Sequence, residues 1–87
     1  MIEKAIQVNN KSGLHARPAS ILVKEAGAFQ CSIHIKKNGK EVDAKSILGV
    51  MSLAVQPGET VTIKADGADE QDAIAKLITI IQSKFGE

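Results

Sequence analysis

Apolar and polar residues alternate with the two-residue period of a strand in three stretches of the chain. Ile2, Ile6 and Val8 alternate with Glu3, Ala5 and Gln7, Cys31, Ile33 and Ile35 with Ser32, His34 and Lys36, and Val61, Ile63 and Ala65 with Thr60, Thr62 and Lys64. Successive strand side chains point to opposite faces, so each run predicts a strand with a single covered face. Elsewhere the spacing is helical. Ala19, Leu22, Val23 and Ala26 predict one amphipathic helix, with Gly27 placed where a left-handed cap would end it. Ala73, Ile74, Leu77, Ile78 and Ile81 predict another. Asp69 stands as its cap, and Glu70 and Asp72 put negative charge at its positive end.

Shorter signals fill the gaps. Lys37-Asn38-Gly39-Lys40 is the sequence of a tight hairpin, because Asn and Gly tolerate positive φ, and a short strand around Val42 should pair back. Ser46 is an N-cap for a short helix from Ile47 to about Leu53, weakened by Gly49. Pro57-Gly58 closes the next turn, and Asp66-Gly67 marks the end of the last strand. The order β-α-β-β-α-β-α predicts an α+β, two-layer open-faced sandwich, an antiparallel sheet with three helices on one face. Connection lengths alone also allow a ferredoxin-like relative.

A chain of 87 residues predicts a single domain, 1–87, with a modest core. A hydrophobic fraction of 44% with 24% charged residues is the balance of a globular protein. The formal net charge of +1 argues against sequence-independent nucleic-acid binding, and Lys36, Lys37 and Lys40 read as solvated charges flanking a turn. A small RNA-binding domain would need exposed stacking aromatics, and the chain has only Phe29 and Phe85. Cys31 is a lone cysteine, which predicts a reducing compartment and no metal site. No apolar run approaches membrane-spanning length, so membrane insertion is not expected and a cytoplasmic location is.

The chemistry concentrates in Gly13-Leu14-His15-Ala16-Arg17-Pro18-Ala19. Pro18 has its torsion preset for a first helical turn, so His15 falls at a helix start, where backbone N–H groups lack partners. Those donors, the helix dipole and the Arg17 guanidinium make an anion pocket around an imidazole. An imidazole is largely unprotonated and nucleophilic near neutral pH, and a phosphoryl group bonded to it leaves easily once the ring is protonated. The plainer alternative is a solvated or capping histidine. His34, between inward isoleucines, reads as a solvent-facing strand residue. Ser12 is either a further hydroxyl near that pocket or a turn-stabilising residue.

This segment, together with Lys45-Ser46-Ile47-Leu48-Gly49-Val50-Met51-Ser52-Leu53, closely resembles the HPr family. These are the histidine-containing phosphocarriers of the bacterial phosphoenolpyruvate:sugar phosphotransferase system, here of the Gram-positive type with a regulatory serine. The resemblance runs essentially end to end and implies a sheet in the order 1-4-2-3. It implies that His15 carries a phosphoryl group on Nδ1, that Arg17 supports its charge, and that the N–H groups of Ala16 and Arg17 orient it. It also implies phosphorylation of Ser46 by an HPr kinase/phosphorylase, with a catabolite control repressor as partner of the serine-phosphorylated form. Arg17, Ser20, Ile21, Lys24, Ile47, Leu48, Met51 and Ser52 would form the docking surface for Enzyme I and Enzyme IIA domains. Val50 and Leu53 belong to the core instead, and Met51 is divided between the two roles. Leu48 stands where many relatives carry methionine, a loss of a flexible thioether. The resemblance implies a monomeric carrier with no cofactor, a co-substrate and not an enzyme in the strict sense. The competing reading is a regulatory module of the HPr-like catabolite repression type, which keeps the serine and has lost the histidine; His15 argues against it.

Overall fold

The computed structural model describes residues 1–86. The elements are β1 (Ile2–Gln7), α1 (Ala16–Gly27), β2 (Ser32–Lys37), β3 (Lys40–Asp43), α2 (Ile47–Ser52), β4 (Thr60–Asp66) and α3 (Glu70–Gln82), followed by a 3-10 turn over Lys84–Gly86. The strands make one antiparallel sheet in the order β1-β4-β2-β3, the arrangement implied by the family resemblance and not a ferredoxin-like one. Ile33, Ile35, Val61, Ile63 and Ala65 are buried on its covered face, beneath Leu22 and Ala26 of α1, Val50 of α2, and Ala73, Leu77 and Ile81 of α3. Among the described residues, no helix is long and apolar enough to cross a membrane.

The opposite sheet face is polar. Glu3, Lys64, His34 and Asp43 stand side by side across all four strands, and Lys64 Nζ lies 3.2 Å from Glu41 Oε1. His34 does face outward as its alternation predicts, but these neighbours leave it half-buried. On the covered side, Lys4 is in register with Ile63 yet remains exposed, because β1 is an edge strand. A charge placed inward at an edge discourages pairing with another chain.

Several helix ends depart from the sequence expectation. Gly27 does not form a left-handed cap: α1 ends at Ala28 in a right-handed conformation, its N–H bonding back to the Glu25 and Ala26 carbonyls. Asp69 occupies the N-cap position of α3 but makes no side-chain cap bond. Its carboxylate instead reaches across the fold and accepts from the backbone N–H groups of Gln30 (2.8 Å) and Cys31 (2.9 Å). Asp69 therefore ties the α1–β2 connection to the start of α3, and Glu70 accepts from Gly67 N–H (3.1 Å) behind it. The final turn has no counterpart among the sequence signals. Lys84 and Phe85 adopt positive φ of 60° and 54°, which folds Phe85 into the core.

The Gln30 N–H bond, more than any other interaction, holds the Asp69 carboxyl below the usual aspartate range, against a smaller opposing effect of burial. A lowered native pKa contributes stability that is complete above about pH 4, where an unfolded aspartate ionises, and that fades as pH falls through the native value. Asp69→Asn should therefore lower the urea midpoint at neutral pH, with the gap to the parent closing on acidification. A gap that is constant with pH would contradict the role given to the charge.

Candidate functional site

The His15 loop is built from the inside out. Leu14 is a buried anchor, and its N–H donates to the Val55 carbonyl at 3.1 Å. Gly13 turns the chain with φ +62°, and any Cβ there would collide with the same Val55 carbonyl oxygen. The buried Asn10 closes the turn from below, its Nδ2 donating to the Gly13 carbonyl at 2.8 Å. These bonds fix the backbone on which His15 stands. The sequence motif contains Gly13 and Leu14, but Val55, some forty residues downstream, carries no local sign that it receives them.

His15 is the N-cap of α1, extended in backbone (φ −81°, ψ −166°), exposed, and without a side-chain cap bond. Its imidazole is therefore not spent on capping. The His15 carbonyl accepts from Ala19 N–H at 2.8 Å, and Pro18, third in the helix, has no N–H. Ala16 and Arg17 are left as the first-turn donors without an intrahelical acceptor. The helix carries no acidic residue in that turn, so the positive end of its dipole is not offset locally. Arg17 is exposed and forms no ion pair with another described residue. Such an arrangement receives an anion bonded to, or placed beside, the His15 ring. Among the described residues, no group of three or more His, Cys, Asp or Glu side chains could hold a metal ion.

Ser46 is the N-cap of α2, as the sequence predicts. Its Oγ accepts from Gly49 N–H at 3.1 Å, and its carbonyl from Val50 N–H at 3.0 Å. Asp43 prepares the position by accepting from Lys45 N–H (2.8 Å), while Lys45 Nζ reaches the Phe29 carbonyl (2.7 Å). Gly49 weakens the helix intrinsically, but its missing side chain has a use. A Cβ there would lie 3.3 Å from Ser46 Oγ and 3.4 Å from Val42 Cβ, so glycine lets cap and strand close together.

Helices α1 and α2 pack against each other. Arg17, Ser20 and Lys24 are exposed on α1, with Ile21 half-buried between them; Leu48 is 79% exposed and Ile47 39% on α2, beside exposed Ser52. Val50 and Leu53 are buried as expected, and Met51 is half-buried against the core. Isoleucine and leucine left in water together on one short helix mark a surface suited to a partner. One expectation fails here. Lys37 is not a solvated turn charge: its Nζ is drawn in to the carbonyls of Leu53 (3.0 Å) and Ala54 (3.1 Å) and to Glu59 Oε1 (2.9 Å). Lys40 Nζ likewise reaches the Ser52 carbonyl at 3.2 Å.

The structure is thus an open-faced α+β sandwich that presents an exposed histidine at the start of its first helix. A family model described as PTS HPr component phosphorylation site matches residues 2–83. The chain belongs to this PTS-HPr family. It is 49% identical to the HPr-like protein Crh of Halalkalibacterium halodurans, covering 97% of this chain and 100% of that one. It is 46% identical to the phosphocarrier protein HPr of Cupriavidus necator, covering 100% of this chain and 98% of that one. The crystal structure of HPr-C-His from Thermoanaerobacter tengcongensis superposes with a TM-score of 0.98 at 49% identity, over 100% of this chain and 98% of the other.

Gly13→Ala should cost at least about 1–3 kcal/mol from the left-handed backbone alone, and more from the displaced Val55 carbonyl. A thermal melt should show that loss, with Leu14 and His15 amide resonances shifted in a two-dimensional NMR spectrum. An unchanged midpoint with unchanged resonances would show that the loop does not need its glycine.

Proposed function

We propose that this protein is a phosphocarrier, which accepts a phosphoryl group on His15 from phosphorylated Enzyme I and passes it to sugar-specific Enzyme IIA domains. The carrying observation is His15 itself, exposed at the N-cap of α1 with no cap bond to hold its ring, next to the first-turn N–H groups and Arg17. In the transfer, a lone pair on the ring, at Nδ1 by family resemblance, attacks phosphorus. The bond from phosphorus to the donor breaks as the phosphorus–nitrogen bond forms. The N–H groups of Ala16 and Arg17 orient the incoming oxygens, and the Arg17 guanidinium offsets their charge. Passing the group on reverses these steps. The protein turns over no small molecule by itself, so it serves as a co-substrate of its partners.

Docking would use Arg17, Ser20, Ile21, Lys24, Ile47, Leu48, Met51 and Ser52. On this reading the protein acts as a monomer. The buried single thiol, its pKa pushed up by burial, suits a reducing cytoplasm. Ser46 would be the target of an HPr kinase/phosphorylase, its phosphate remaining close to helix donors and recognised by a catabolite control repressor. A second reading, a regulatory module without carrier activity, draws on the similarity to HPr-like Crh proteins. The presence of His15 favours the carrier.

His15→Ala should fold normally and accept no acid-labile phosphate from Enzyme I. Full labelling of that variant, with the phosphate on His34, would overturn the assignment. Ser46→Asp should accept phosphate from Enzyme I more slowly than Ser46→Ala, because an added charge must be desolvated against the Ile47/Leu48 patch. Ser46→Ala gives up the cap bond at a cost of about 1 kcal/mol, so initial rates are compared where circular dichroism shows both variants folded. Equal rates would remove the brake.

A further inference from the structure

The end of α2 has more carbonyls to satisfy than its own six residues can serve. The Gly49 carbonyl accepts from Ser52 Oγ at 2.6 Å, Val50 from Leu53 N–H at 3.2 Å, and Met51 from Ala54 N–H at 3.0 Å. Beyond these, Ser52, Leu53 and Ala54 point their carbonyls out of the C-terminus, where the helix dipole is negative. Ala54 has no glycine's freedom and adopts φ +52° regardless. All three carbonyls are met from another part of the fold, by the hairpin lysines: Lys40 at Ser52, Lys37 at both Leu53 and Ala54.

Lys37 also binds Glu59, whose carboxylate accepts from Gln56 N–H at 2.6 Å. The Gln56 N–H bond, followed by Lys37, holds the Glu59 carboxyl below the usual glutamate range. One ammonium therefore grips both flanks of Val55, the residues just before it directly and the Gln56–Glu59 turn after it through Glu59. Val55 is buried, and its carbonyl is the acceptor for Leu14 N–H and the wall against which Gly13 turns. The Lys37 side chain is only 15% exposed, so these bonds are sheltered from water and worth more than a surface pair.

We propose that Lys37 is a positioning residue for His15: by clamping Leu53, Ala54 and Glu59 it sets the place of the Val55 carbonyl, and through it the loop that presents the histidine. The functional consequence rests on the phosphocarrier reading; the structural coupling does not. Lys37→Met keeps the aliphatic stem and removes every donor. Its Leu14 amide should exchange with solvent about tenfold faster relative to the Ile33 and Ile63 amides of the sheet, the size of one lost charge-assisted bond. Lys37→Arg, which keeps a charged donor, should restore most of the protection. Lys64→Met, which breaks the Lys64–Glu41 pair on the uncovered face, should leave the ratio alone.

Equal loss of protection at Leu14 and in the sheet would overturn the proposal and make Lys37 an ordinary stabilising residue. If Lys37→Met is too unstable for exchange, Lys37→Gln is read by the same ratio. With Enzyme I and phosphoenolpyruvate, Lys37→Met should show a lower kcat at a KM close to the parent's, because the docking residues are untouched. Failure of the parent to accept phosphate, with the exchange ratio as expected, would refute the carrier reading and leave the coupling standing.

Discussion

A backbone hydrogen bond of 3.1 Å, from Leu14 N–H to the Val55 carbonyl, joins the segment before α1 to the segment after α2. Around it the chains come so close that only glycine fits at position 13. Both sides of this seam carry candidate chemistry. On one side His15 follows directly, held as the N-cap of α1; on the other, α2 carries Ser46 at its start and Leu48 in the open. A shift of the seam would move the imidazole relative to α2. The burial of Leu14 and Val55 makes the bond costly to lose, since an unpaired N–H or carbonyl in that interior has no water to replace its partner.

Satisfaction of helix ends is the common theme of the polar interactions. The start of α1 has no side-chain cap bond, the start of α2 is closed by Ser46, and the start of α3 is joined to the α1–β2 connection by Asp69. At the end of α2 the hairpin lysines serve as the cap. Of the three helix starts, those of α1 and α3 lack a side-chain cap bond among the described residues, and the first of them bears the candidate nucleophile. An exposed ring that makes no cap bond favours a functional reading of His15 over a capping one.

Much of the fold was legible because its signals are local. Two-residue alternation marked the sheet's covered face, 3.6-residue spacing marked α1 and α3, and Asn38-Gly39 and Ser46 marked a hairpin and a cap. The strand order was not legible from periodicity, and came through the family resemblance. Two of the misses, at Asp69 and Lys37, share one physical cause, a side chain whose partner lies far along the chain. Asp69 looked like a local cap, yet the two N–H groups that need it lie at Gln30 and Cys31. Lys37 looked solvated because turn lysines usually are, and its acceptors belong to the end of a different element. Gly27 suggested a left-handed cap, but the chain continued one residue in right-handed conformation, where tighter bonds to Glu25 and Ala26 suffice. For the candidate site, the His15 and Ser46 motifs announced themselves, whereas the Val55 carbonyl that positions the first could be found only from the fold.

The central claim is that this geometry presents His15 as a phosphoryl acceptor. The direct measurement is phosphorus–nitrogen correlation NMR on the uniformly nitrogen-15-labelled protein after incubation with phosphoenolpyruvate and Enzyme I. The account predicts one acid-labile phosphoryl group, coupled to Nδ1 of His15, with the Ala16 and Arg17 amide resonances moving as their N–H groups take up its oxygens. A phosphoryl group on another residue, or none at all while a known carrier is fully labelled in the same mixture, would contradict it.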